Sequence, residues 1–247
     1  MLDMRPYSSE LFRRACSTNL RTGRFLDLGC GSSARDLGYM KSCGASICVG
    51  IDMMIDRDDR NPEINYVKSD IDDFNLPFTD ESFDAVILHN VLEHLSDPSR
   101  VLRESFRVLA YDGILSVVTE NQACLRNRLK LLMGRSIYFP LDNWLSREDR
   151  IVKAGREVFT GHVREYTPSE LKYMLLQSGF VLERMKLHTA AHPLPPSRGT
   201  RCGSLHRDSV LENMERNRWM VRLYNIAESL LPECKYMMSA IASKKNQ

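Results

Sequence analysis

Short apolar runs alternate with helix-periodic stretches from residue 24 onward, and the alternation predicts a parallel sheet flanked by helices. The runs that read as strands are Arg24 to Leu28, Ile47 to Ile51, Ile64 to Lys68, Phe83 to His89 and Ile114 to Thr119. Ala34 to Ser42 reads as the first helix. Another begins at Asp97-Pro98, an N-cap acid followed by proline at the first helical position. It carries Val101, Leu102, Phe106 and Leu109 on one face and stops before the turn signal Asp112-Gly113.

After the fifth strand the alternation lapses. Residues 121 to 160 hold Arg126, Arg128, Lys130, Arg135, Tyr138, Phe139 and Trp144 with no strand pattern, and read as an inserted cap. The core pattern resumes at Thr167-Pro168-Ser169-Glu170, a capping box opening a helix that ends at Ser178-Gly179. Phe180 to Leu187 reads as a sixth strand. Pro193, Pro195 and Pro196 lead into a second insertion, 188 to 234, whose segment Val210 to Leu231 has mixed helical character. Lys235 to Ser243 returns as a last strand. One domain is expected over 1–247, with its core at about 21–120, 161–187 and 235–243.

Chemistry enters at Phe25-Leu26-Asp27-Leu28-Gly29-Cys30-Gly31, an apolar run that ends in an acid and two glycines one residue apart. Glycines so spaced let the backbone turn tightly off a strand and bring its N–H groups against a ligand. Gly29-x-Gly31-x-x-Ala34 also satisfies the loose dinucleotide pattern, with Asp52 near the place of a ribose-binding acid. Asp27 decides between the cofactors. A carboxylate there repels a pyrophosphate and attracts the ammonium and sulfonium of S-adenosylmethionine, so the electrostatics favour that cofactor over NAD.

Composition narrows the partners. Lys plus Arg total 34 against 32 for Asp plus Glu, a net charge of +2, which gives no field that calls for nucleic acid or an anionic membrane. No window offers the apolar length of a membrane span, and the N-terminal residues lack an apolar signal core, so a soluble, cytoplasmic protein is expected. The seven cysteines are scattered without finger-like spacing and are read as reduced thiols. Cys202 and His206 alone do not make a zinc site, and no metal is expected.

With the elements in order, the chain resembles a class I S-adenosylmethionine-dependent methyltransferase of the type 11, small-molecule kind, which includes the ubiquinone and menaquinone methyltransferases. The stretches that carry the resemblance are Phe25 to Gly31, Val49-Gly50-Ile51-Asp52, Lys68-Ser69-Asp70, Leu76 to Asp84, Val91-Leu92-Glu93-His94-Leu95 and Arg107 to Gly113, with Gly179-Phe180 ahead of the sixth strand. The resemblance implies a Rossmann-like, doubly wound, seven-stranded sheet, mostly parallel with an antiparallel last strand, and cofactor at the carboxyl ends of the first strands. It assigns Gly29 and Gly31 to close backbone approach, Asp27 to the methionine ammonium, Asp52 to the ribose hydroxyls and Asp70 to the adenine amino group. Cys30, Met53, Ile71, His89 and Asn90 complete the implied cofactor-binding set. Ser33 and Asp112-Gly113 depart from the usual glycines, and His89-Asn90-Val91-Leu92 differs from the motif of the base-modifying amino methyltransferases.

His89, His94 and His162 are the candidate bases, with His89 and His162 favoured as catalytic and a packing role favoured for Glu93 and His94. A base is not obligatory, because the sulfonium leaving group is good and positioning supplies much of the rate. The expected activity is methyl transfer to a small-molecule, lipid or sugar acceptor, at oxygen. An RNA methyltransferase and a non-catalytic S-adenosylmethionine-binding protein are the alternatives. The basic residues of the first insertion, interleaved with Leu129, Leu131, Leu132 and Met133, allow peripheral membrane contact. Oligomeric state is left open.

Overall fold

The computed structural model describes residues 23–55, 60–72, 75–137, 150–153, 156–159, 161–189 and 218–245. Seven strands form one sheet in the order β3-β2-β1-β4-β5-β9-β8. They are β1 (Arg24–Leu28), β2 (Ile47–Asp52), β3 (Asn65–Lys68), β4 (Phe83–His89), β5 (Leu109–Glu120), β8 (Val181–His188) and β9 (Met237–Ser243). β1 to β5 run parallel, while β9 runs antiparallel to both β5 and β8 between which it lies. This is the doubly wound, mostly parallel sheet with an antiparallel last strand that the family resemblance implies.

Helices cover both faces because successive strand residues point to opposite sides. Leu26, Leu28, Val86, Leu88, Leu115 and Val117 join one core with Val101 and Leu102 of α2 (Pro98–Val108) and Leu171 and Leu175 of α4 (Pro168–Gln177). The residues between them, Phe25, Ala85, Ile87 and Ile114, join a second core with Leu37 and Met40 of α1 (Arg35–Ser42). Asp97 caps α2 by accepting from the Arg100 N–H at 3.0 Å, and Thr167 and Glu170 form the capping box of α4.

Several boundaries differ from the sequence pattern. α2 ends at Val108, and Leu109 opens a β5 that is longer than the predicted Ile114 to Thr119, because Leu109 pairs with Phe83 of β4 before a register shift. The first insertion contains a helix, α3 (Leu125–Leu132), but also an antiparallel hairpin, β6 (Arg150–Lys153) and β7 (Arg156–Phe159). Strands of only four residues, both opening on arginine, show no readable alternation, which corrects the expectation of a cap without strands. Tyr138, Phe139 and Trp144 lie outside the described residues, as do Cys202 and His206. In the second insertion, α5 spans Arg218–Leu230, and β9 begins at Met237 after a single 3-10 turn, Pro232–Cys234.

Candidate active site at the carboxyl ends of the parallel strands

The glycine loop leaves the end of β1 beside the end of β2. Gly29 and Cys30 donate their N–H groups to the Ile51 carbonyl at 2.7 and 3.2 Å, and Gly31 donates to Asp52 Oδ2 at 2.8 Å. These donors are satisfied within the protein, contrary to the sequence expectation that they face a ligand. The glycines serve close approach instead. Gly29 has φ +78°, and a Cβ there would lie 2.5 Å from Val91 Cγ2. Gly31 has φ +63°, and nothing among the described residues lies within 4 Å of an added Cβ, so the backbone here borders open space. Gly50, in β2, gives Cys30 room, since a Cβ would stand 2.6 Å from its sulfur. Burial, with Asp27 and Asp52 nearby, pushes the Cys30 thiol up and makes it a packing group rather than a nucleophile.

Three acids surround this loop. Asp27 is buried near the end of β1, and desolvation together with the charges of Asp36 and Asp52 holds its carboxyl well above the usual range. Asp52 ends β2 and accepts from Gly31 and, at 2.6 Å, from the Met54 N–H, so both of its oxygens are oriented by backbone. Asp70 follows β3, is buried, and accepts from the Asp72 N–H at 3.0 Å. Met53 and Ile71 follow these last two acids and are half-buried, with Ile71 packed on the core. Asp72, which sequence reasoning passed over, accepts from the Ser96 and Asp97 N–H groups and ties this edge to the start of α2.

β4 ends at His89 and Asn90. His89 Nδ1 lies 2.6 Å from Asp36 Oδ2 and Nε2 lies 2.9 Å from Ser116 Oγ, so both ring nitrogens bridge α1 to β5. Asn90 adopts φ +57°, a conformation that costs most residues strain, and its buried Oδ1 has no hydrogen-bond partner.

A second constellation lies just beyond. Glu93, in the 3-10 turn Leu92–His94, is 1% exposed and accepts from Thr119 Oγ1 at 2.7 Å. Burial pushes its pKa to about 7. Its carbonyl receives the N–H groups of Val163 and Arg164, which fastens residues 162–165 against the end of β5. There His162 Nδ1 lies 3.4 Å from Glu165 Oε1 and 3.9 Å from Glu120 Oε2, and its ring meets His94 edge-on at 4.8 Å. Burial opposes the imidazolium, but the hydrogen bond to Glu165 and the Glu120, Glu93 and Glu165 charges outweigh it and raise the His162 pKa. Tyr236 donates to Glu120 at 2.7 Å and Asn127 to Glu165 at 3.0 Å. Donor atoms of Glu93, His94 and His162, and of Glu120, His162 and Glu165, lie within 4.8 Å of one another. That spacing suits a divalent cation, yet Glu93 already accepts from Thr119, His94 meets the Gly161 carbonyl and His162 is paired with Glu165.

The comparisons with known proteins agree with this geometry. Residues 26–117 match the family described as a methyltransferase domain. A demethylmenaquinone methyltransferase of Lactobacillus johnsonii is 29% identical over 172 residues, 65% of this chain and 69% of that protein. A second demethylmenaquinone methyltransferase, from Thermotoga maritima, is 32% identical over 113 residues, which spans 44% of this chain and 48% of its own. The crystal structure of an S-adenosylmethionine-dependent methyltransferase from Mesorhizobium loti superposes with a TM-score of 0.59 at 19% identity, covering 98% of this chain and 100% of the other. The fold and loop define a class I, Rossmann-like methyltransferase. Residues 26–117 thus carry a methyltransferase domain of the S-adenosylmethionine-dependent kind, and S-adenosylmethionine is its cofactor.

The residues present fit that cofactor. Among the described residues, nothing stands within 4 Å of a Cβ added at Gly31, Asn90 Oδ1 is an unpaired acceptor beside the loop, and the charges acting on the buried Asp27 are those of Asp36 and Asp52.

Proposed function

We propose that this chain methylates an oxygen atom of a small-molecule acceptor, with His162 as the base that receives the acceptor's proton. The observation that supports it is the His162–Glu165–Glu120 group, held at the carboxyl end of β5 one strand away from the residues beside the glycine loop. S-adenosylmethionine, when bound, supplies an electrophilic methyl group on a sulfonium.

The chain's own residues then divide the work. Asp27 and Asn90 Oδ1 are both acceptors suited to an ammonium, and Asp52 and Asp70 to hydroxyl and amino donors. Backbone N–H groups fix the Asp52 carboxylate while leaving a second lone pair on each oxygen for a vicinal diol. His89, with both nitrogens engaged, positions α1 and β5 around the loop rather than moving a proton. His162, kept basic by the carboxylates at its Nδ1, takes the proton as the oxygen attacks.

The test has two parts. Calorimetric titration of the intact protein should show S-adenosylmethionine binding that Asp52→Ala abolishes. Incubation with methyl-labelled cofactor and fractionated cell extract should then put label into a small-molecule fraction. Label in RNA, or no transfer to any fraction despite cofactor binding, would overturn the reading.

A further inference from the structure

Six side-chain nitrogen or oxygen atoms among the described residues are buried with no hydrogen-bond partner. Asn90 Oδ1 stands beside the glycine loop, just past β4, and Ser243 Oγ at the far end of β9. The other four are Arg126 Nε, the Tyr224 hydroxyl and both carboxylate oxygens of Glu228. Tyr224 links them across α3 and α5, since it feels the charges of Glu228 on its own helix and of Arg126 in α3. Tyr224 and Glu228 are one helical turn apart on the inner face of α5, 6% and 0% exposed, while Trp219, Leu223, Ile226 and Leu230 occupy its exposed outer face. Tyr224 also lies near Cys124, at the start of α3. The Arg126 and Tyr236 backbone N–H groups bias Tyr224 and Glu228 electrostatically, but at geometries that complete no hydrogen bond.

Buried polar groups are almost always paired, and each one left unpaired weakens the fold. Four such atoms along the seam of α3 and α5 therefore ask what else they pair with. The seam adjoins the proposed acceptor end of the site. Tyr236 contacts both parts, with its hydroxyl on Glu120 and its backbone N–H beside Glu228. Asn121, just past β5, holds the connecting 3-10 turn by donating to the Glu233 and Lys235 carbonyls at 3.0 and 2.8 Å.

The chemistry of these groups selects a ligand. Carboxylates only accept, and one carboxylate accepts two hydroxyls at once; tyrosine hydroxyls donate and accept, and arginine donates. An apolar ring system would leave all of them unpaired, and a phosphorylated ligand would meet Glu228, Glu120 and Glu165. We propose that the seam between α3 and α5 is the acceptor-binding site and takes a polyhydroxylated compound, a sugar or polyol, whose hydroxyls pair with Glu228, Tyr224 and Arg126 and one of which reaches His162. This rests on the methyl-transfer reading above. α5 covers these groups, so the ligand enters by lifting that helix.

The experiment is ligand-observed saturation-transfer NMR on the full chain, with methyl glucoside and myo-inositol as probes and 1,4-naphthoquinone and tyramine as apolar and cationic controls. It is paired with thermal unfolding of the wild type, Tyr224→Phe and Glu228→Gln. The proposal expects transfer to the hydroxylated probes that both variants reduce by at least fivefold. It also expects unfolding midpoints about 2–4 °C higher in the variants, because unpaired groups have been removed or neutralised. A lowered midpoint in both variants would show that these atoms are paired within the fold, and would overturn the site. Variant-sensitive transfer to naphthoquinone or tyramine in place of the hydroxylated probes would overturn the ligand class, and no variant-sensitive transfer from any probe would overturn both. Cofactor binding, measured separately by calorimetry, reports on the methyltransferase reading alone.

Discussion

Asp27 gives the clearest chemistry of any single residue. Its raised pKa reflects burial first and the neighbouring Asp36 and Asp52 charges second, so the free protein keeps the neutral form to higher pH than an ordinary carboxyl does. An ammonium placed beside it favours the ionised form. Cofactor binding should therefore release a proton, and affinity should rise with pH as the pKa of Asp27 in the free protein is approached from its protonated side. Calorimetry in two buffers of different ionisation enthalpy measures the release directly. Asp27→Asn should abolish it and weaken binding about 10- to 100-fold, the equivalent of one charge-assisted hydrogen bond.

Glu93 makes a stability prediction at the same scale. Its folded pKa of about 7 lies above the ordinary 4.5, so the stability linked to its neutral form is full below pH 4.5 and is lost as pH rises through 7. His162, also raised, loses stability in the same direction. Glu93→Gln should remove about 3 kcal/mol of that decline, read from urea unfolding at pH 5 and pH 8. Asp27, Asp52 and Asp70 were legible in the sequence because each ends or follows a strand at a readable interval. The His162 group was only half legible. His162 itself could be named, but Glu120, Glu165 and Tyr236 come from separate segments that only the closed sheet brings together.

At the scale of an element, the glycine loop separates two demands that the sequence presents as one. Gly29→Ala would force a Cβ into Val91 at a left-handed φ and should cost about 2–4 kcal/mol of stability. Gly31→Ala meets no atom of the described residues, so it should cost only the backbone strain of about 1–2 kcal/mol while filling space proposed for the cofactor. Thermal unfolding and cofactor titration of the two variants should therefore rank oppositely, with Gly29→Ala the less stable and Gly31→Ala the larger loss of affinity per unit of stability. The long parallel strands and both capped helices were readable because hydrophobic runs and cap residues are local signals. The β6–β7 hairpin was not, because its two strands have only four residues each, both open on arginine, and gain their pairing from each other.

For the whole molecule, the informative strand is β9. It pairs with β5 from Ile114↔Ser243 to Glu120↔Met237 and with β8 along its other edge, so it joins the sheet's two parts. A chain stopped after Leu231 should leave β5 and β8 without a shared neighbour. Its expected behaviour is loss of the cooperative thermal transition, seen by circular dichroism, together with aggregation through the two open edges. The antiparallel placement of this strand came from the family resemblance, since nothing local in Met237–Ser243 states its direction.

That arrangement also sets a timetable for the protein's birth. The ribosome delivers β9 after every other strand of the sheet, on the order of ten seconds after β5 at ordinary rates of synthesis. Throughout that interval β5, although destined for the interior, presents an unpaired edge. The nascent chain must therefore wait, with its seven-stranded sheet incomplete, for β9, and in this interval the open edge of β5 invites mispairing.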